Sequence, residues 1–358
     1  MPRIIIAGGG VAALEAVLAL RDELSADELQ ITLVTPATRF EYRPLAVLEP
    51  FRGISRWSLA LDGFAADQDV ELVRDVLTAV GPHARVAGTG SGAELGYDLL
   101  LIAIGGHAAD AIHGALTFRG PAEGQLIGAM LEDPPRTLAF TAPAGASWPL
   151  PLYELACLVG AELRRSGADT AVTVATPEAA PLAAFGERAS EFVTGELARH
   201  GIELVTAADP IAVRGGALEL GDGRRIAAER VIALPRVLGR RIEGVPHDAE
   251  DFVVVDAHCR VVELQHVYAA GDVTNLPFKH GGLAAQQADA AAEAMLAELG
   301  APIEPRPLEP VLEGVLFTDE EAGTEWPPTK IAGRRLTPYL ARVMTAGQRR
   351  EATDGARR

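Results

Sequence analysis

Cysteine is nearly absent from this chain: its 358 residues hold only Cys157 and Cys259. Two thiols are too few for a disulfide framework, which fits a reducing compartment. No CxxC or CxxxxC pair exists, so thiol–disulfide chemistry, which needs an attacking and a resolving sulfur within bonding distance, has nowhere to act. Metal spacing is lacking too, since eight scattered His form no HxxxH or comparable set. Basic charge is short: 32 Lys or Arg against 49 Asp or Glu give −17, which repels nucleic-acid phosphates over most of the surface. No run reaches the roughly eighteen apolar residues of a membrane span. The apolar opening carries no cationic leader of any length. The expectation is a cytoplasmic protein, soluble or at most peripheral to the inner face of a membrane.

Aromatics are scarce at 5%, yet 48% of the residues are apolar and the length suffices for two α/β domains with buried cores. At the start, Ile4 to Ala7 read as a short strand, Gly8-Gly9-Gly10 as a turn and Val11 to Leu20 as a helix. The pattern is GxGxxA with Ala13 third. Gly8 serves the tight turn, the bare backbone of Gly10 admits a pyrophosphate, and Ala13 lets helix and strand pack closely. Helix N–H groups then face the phosphate. Alone, this motif says only dinucleotide.

Three further segments are more specific. Tyr97 to Gly106 is a strand with a small-residue turn; Val267 to Ala270 is a strand ending in Gly271-Asp272; Arg39-Phe40-Glu41-Tyr42-Arg43-Pro44-Leu45 follows the second strand. In this order the motifs resemble the FAD-dependent pyridine nucleotide-disulfide oxidoreductase superfamily, over roughly residues 1 to 300. Within it the likeness is greatest to sulfide:quinone reductases, flavocytochrome c sulfide dehydrogenases and type II NADH dehydrogenases.

The resemblance implies an α/β fold of two Rossmann-like domains. The FAD domain would be discontinuous, 1–118 and 250–300, around an NAD-binding-like domain at 119–249, with a short C-terminal interface region and basic tail at 301–358. It also implies a non-covalent FAD. Gly8, Gly10, Val11, Ala12 and Ala13 would hold the pyrophosphate. Thr35 would meet the adenosine ribose where a carboxylate usually stands, and Val76, in a strand facing the adenine, would bond it through its backbone. Arg43, Pro44, Ala103, Ile104 and Gly105 complete the walls, while Asp272 after Gly271 accepts from the ribityl chain. Gly281, Gly282 and Leu283 open a helix to Leu299 whose N–H groups point at the flavin atoms that gain negative charge on reduction. Lys279 would add a full charge there as the catalytic residue, with His280 a weaker candidate proton donor.

The middle domain lacks what an NADH site needs. Where a second GxGxxG is expected stands Phe140-Thr141-Ala142-Pro143-Ala144-Gly145-Ala146-Ser147-Trp148-Pro149-Leu150-Pro151. Prolines remove donors, Trp148 adds bulk, and Glu178 lies too late to grip a ribose. In the helix after the GD motif, Gly282 stands where type II dehydrogenases place a quinone-contacting Gln, although Gln286 and Gln287 match later glutamines. Trp326-Pro327-Pro328 with Lys330 falls in the region that closes over the flavin in relatives.

The expected function is therefore an FAD-dependent oxidoreductase passing electrons from a small-molecule donor to a quinone or small acceptor. Two alternatives stand beside it: an NAD(P)H dehydrogenase with a non-standard site, and a flavoprotein whose structural or sensory FAD serves partner binding. From Lys330 onward eight Lys or Arg face two acids. This tail is either solvated or in contact with anionic lipid. The resemblance also leaves a homodimer open.

Overall fold

A computed structural model describes residues 1–52, 58–318 and 333–343. Its first sheet takes β1 (Arg3–Ala7), β2 (Gln30–Val34), β3 (Glu71–Val73) and β4 (Leu99–Ile102), then a strand from far along the chain, Val267–Ala269. All five run parallel, in the order Val267–Ala269, β4, β1, β2, β3. Ile4, Ile5 and Ile6 are fully buried, as continuous apolar strands must be when both faces of a parallel sheet are covered. The second sheet repeats the arrangement with β5 (Leu116–Thr117), β6 (Thr137–Thr141), β7 (Ala171–Ala175), β8 (Glu203–Val205) and β9 (Arg230–Ala233), ordered β5-β9-β6-β7-β8. Two parallel doubly wound units thus bear out the expected fold class.

The helices explain the alanine content. α1 (Val11–Glu23) packs along a long helix near the end of the second passage, and buried Ala13, Ala16, Ala288 and Ala291 present little bulk between the two. In the second unit α2 (Leu150–Ser166) and α3 (Glu187–Arg199) flank the sheet. The long helix, Gly281–Glu298, is α4. A two-stranded antiparallel ribbon, His107–Ala109 with Arg236–Leu238, joins the units where the chain leaves the first and returns to it.

After α4 the chain from Val311 to Thr318 runs along the second unit without regular secondary structure, with Phe317 buried. Residues 336–343 are helical and return to the first unit. Glu15 of α1, itself buried, accepts the backbone N–H groups of Arg335 and Leu336 at 2.9 and 2.7 Å, closing the start of that helix.

Phe252 to Val255 forms isolated bridges, Val253 with Thr274 and Val255 with Val261. Val76 lies in the turn before the strand Leu77–Gly81 and is exposed; its N–H donates to Asp75 Oδ1 at 2.8 Å and its carbonyl accepts from Gly90. Both backbone groups of Val76 thus have partners within the protein. Trp326, Pro327, Pro328, Lys330 and most of the basic tail lie outside the described residues. Among the described residues no helix is long and apolar enough to cross a membrane.

Candidate functional site

A cleft of about 1640 Å³ opens at the C-terminal ends of both sheets. In open α/β sheets this is where strand order reverses and loops diverge to leave a crevice. Its volume exceeds the roughly 300–1,000 Å³ of a site for one drug-sized ligand, leaving room for a dinucleotide and a second molecule.

Each glycine of the first turn has a different duty. Gly8 has φ +137°, and a Cβ there would stand 2.1 Å from the Ala103 carbonyl oxygen, so this residue is demanded by the approach of β1 to β4. A Cβ on Gly10 would meet no protein atom within 4 Å. Its bareness serves the cleft, not the packing. No side chain caps α1, whose N-cap is Gly10, nor α4, whose N-cap is His280. Two helix starts with uncapped N–H donors therefore face one space, and both favour negative charge on whatever enters it.

Gly8, Gly10, Val11, Ala12, Thr35, Arg43, Pro44, Val76, Ala103, Ile104, Gly105, Gly271, Asp272, Lys279, Gly281 and Gly282 all line this cleft. Ala13 and Leu283 do not; both are buried in the core beneath the helix starts, where their side chains pack. Thr35 ends β2 with its hydroxyl accepting the Ala37 N–H at 3.3 Å, which leaves its proton to donate. Gly271 has φ +84°, and a Cβ there would press on Ala12 at 3.2 Å, so the GD turn and α1 are in close contact.

A buried amide holds that turn. Gln287 Oε1 accepts the Gly271 N–H at 2.9 Å, Gln287 Nε2 donates to Thr274 Oγ1 at 2.9 Å, and the Thr274 hydroxyl donates to the Gly271 carbonyl. Gln287 is thus a positioning residue. Gln286 instead exchanges two hydrogen bonds of 2.9 Å with the backbone of Val311 and ties down the segment from Val311 to Thr318.

The Asp272 carboxylate makes no hydrogen bond to a described residue. Burial raises its pKa, opposed by the charges of Lys279 and Arg43. A desolvated acceptor in a cleft wall suits a ligand hydroxyl. Lys279 is buried, donates to the Thr274 carbonyl and sits 3.7 Å from the centroid of the Phe252 ring. Burial pushes its amine down to about 8, and Asp272, Asp248 and Glu250 oppose the shift. Cys157 and Cys259 are both buried, and desolvation pushes both thiols up to about 12, so neither is a nucleophile at neutral pH.

At the corresponding corner of the second unit, protein side chains and backbone form the cleft wall. The turn after β6 leads to Trp148, which stacks on His280 with ring centroids 4.1 Å apart and meets Phe185 edge-on at 5.5 Å. Pro149 and Pro151 offer no N–H at the start of α2, and that of Leu152 goes to the Pro149 carbonyl. The segment from Val311 to Thr318 crosses the same place: a Cβ on Gly314 would touch Leu150 and Phe185 at 3.4 and 3.5 Å, and buried Glu154 accepts the Phe317 N–H at 3.0 Å. Glu178, too late in the sequence to grip a ribose, accepts from the buried Tyr153 hydroxyl. Sequence reading had named Trp148 for its bulk. The His280 stack and the crossing segment were not foreseen, because no local pattern pairs residues so far apart.

Residues 154–294 match the pyridine nucleotide-disulphide oxidoreductase family. An NADH dehydrogenase-like protein of Mycobacterium tuberculosis is 25% identical over 299 residues, spanning 76% of this chain and 73% of its own. Among solved structures, the sulfide:quinone oxidoreductase of the hyperthermophilic bacterium Aquifex aeolicus superposes with a TM-score of 0.76 at 21% identity, covering 84% of this chain and 77% of that one. An NAD-dependent persulfide reductase of A. fulgidus gives 0.65 at 19% identity, covering 85% of this chain and 60% of its own. At these identities the structural likenesses speak for the fold.

Proposed function

From the match of residues 154–294 to the pyridine nucleotide-disulphide oxidoreductase family, we propose that the chain is an FAD-dependent member of it that passes two electrons from a small-molecule donor other than NAD(P)H, by way of FAD, to a quinone or similar conjugated acceptor. One observation carries the reading: the first dinucleotide turn is open at Gly10, while the second is stopped by Trp148, Phe185 and the segment through Gly314. Bound in the open cleft, FAD supplies two-electron transfer. The N–H groups at the start of α1 would hold its pyrophosphate, Asp272 a ribityl hydroxyl, and the start of α4 with Lys279 the end that gains charge. With both thiols buried, electron entry by way of a cysteine pair finds no support, so the donor would meet the cofactor directly.

The name of the mycobacterial relative favours a second reading, in which NADH reduces the cofactor through an unusual site. An anaerobic screen of the purified protein separates the two. Bleaching of the flavin band by sulfide or a small thiol but not by NADH or NADPH is expected. Bleaching by NADH alone would reverse the preference.

A further inference from the structure

The Lys279 ammonium is held at the cleft wall by two groups from separate passages of the chain. Its Nζ donates to the Thr274 carbonyl and lies 3.7 Å from the centroid of the Phe252 ring. A carbonyl acceptor and an aromatic face both favour the charged amine, in a place where only 8% of the residue meets solvent. The two partners are fixed to each other. Val253 bonds to the backbone on either side of Thr274, its N–H donating to the Val273 carbonyl at 2.9 Å and its carbonyl accepting from the Asn275 N–H at 3.0 Å. Asp248 holds Phe252 from the other direction, Oδ1 accepting the Phe252 N–H at 2.9 Å. Thr274 is locked by its own hydroxyl, which donates to the Gly271 carbonyl and accepts from buried Gln287 Nε2, each at 2.9 Å. Gln287 thus reaches the amine through a single residue. Burial pushes that amine down to about 8, against the attraction of Asp272, Asp248 and Glu250, so near neutral pH these contacts govern how much of its charge is present.

We propose that Phe252 and Thr274, the latter braced by Gln287, are positioning residues that act through Lys279: they keep its charge beside the end of the cofactor that gains negative charge on reduction, and so raise the potential at which the cofactor accepts electrons. The inference rests on the proposed function, in which that end lies against the start of α4 with Lys279. A fixed positive charge there favours the reduced cofactor over the oxidised one. A lysine free to swing into water would do so far less, because solvent screens it.

The midpoint potential of the bound flavin, read anaerobically at pH 7 against an indicator dye, reports that charge without any turnover. Lys279→Met is expected to lower it. Phe252→Leu, which keeps an apolar side chain without a π face, should lower it by a smaller amount, as should Thr274→Val and Gln287→Leu. Thr274→Ser, which keeps the hydroxyl, should hold the wild-type value. The route is decided by the double variants: in a Lys279→Met background neither Phe252→Leu nor Thr274→Val should add a further shift. Phe252→Leu alters neither α4 nor the GD turn, so it keeps the comparison decisive where Thr274→Val yields apoprotein. A wild-type potential in Phe252→Leu, or a shift of full size in the Lys279→Met background, would overturn the proposal and leave these residues to packing. An unshifted potential in Lys279→Met itself, or wild-type protein that holds no flavin, would instead sink the reading beneath it.

Discussion

The two α/β units share strand number and direction, and differ in which strand takes one edge and in a handful of loop residues. In the first, Gly10 leaves open space above an uncapped helix; in the second, Pro149 and Pro151 strip the helix start of donors and Trp148 occupies the volume. Sheet architecture is kept by burial of continuous apolar strands, which does not depend on whether a ligand sits at their ends. Nucleotide binding, by contrast, hangs on a few backbone N–H groups and the room in front of them. On the proposed reading, a nucleotide-binding fold loses its ligand and keeps its shape, with Val311 to Thr318 crossing the corner.

The first glycine gives the sharpest break of that comparison. Gly8→Ala places a Cβ in contact with the Ala103 carbonyl at a φ that L-residues avoid, and should cost about 3 kcal/mol or more. Soluble protein with an unchanged unfolding midpoint would refute the tight β1–β4 approach. In the filled unit, Phe317→Ala removes a buried ring and should lower stability by about 3–5 kcal/mol in denaturant unfolding. Even then NAD should give no thermal stabilisation, because the prolines at the start of α2 remain. Stabilisation by NAD in this variant alone would mean that the segment is a plug over a working site.

Gly10→Val sharpens the contrast with Gly8. Its side chain enters empty space, so the apoprotein should fold as well as wild type but emerge colourless. What it loses is the ligand's contribution, about 2.7 kcal/mol at a hundredfold excess over the dissociation constant. Stoichiometric FAD in the variant would remove this turn from the site.

A smaller effect concerns Lys279 in apoprotein. Its folded pKa is lowered to about 8 from 10.5, so the unfolded chain binds the proton more tightly between those values. The buried charge costs stability below about pH 8, and the cost is relieved as pH rises toward 10.5. Wild-type stability should gain an upward contribution across that window which Lys279→Met lacks. Identical pH profiles for the two proteins would show the amine to be better solvated than its burial implies.

Much of this was legible in the sequence where a motif is local. The strand from Ile4 to Ala7 and the helix starting at Gly281 fall where an apolar run and glycine turns put them. The lining of the cleft was legible for the same reason, since the GxGxxA turn, Ala103 to Gly105 and Gly271-Asp272 each end a buried strand. Val76 stands one residue before its strand, and the Asp75 side chain takes its N–H. The stacking of Trp148 on His280, the anchoring of Val311 by Gln286 and the capping of a C-terminal helix by Glu15 join residues more than twenty positions apart. Nothing in composition or periodicity encodes such pairings.

Anaerobic stopped-flow mixing of the yellow wild-type protein with a range of NADH concentrations tests most directly whether the first unit takes the flavin while the second takes no nicotinamide. Flavin absorbance is expected to decay slowly, with a rate rising linearly in NADH and showing no saturation. Saturable bleaching complete within seconds would contradict it and place a working nucleotide site in the second unit.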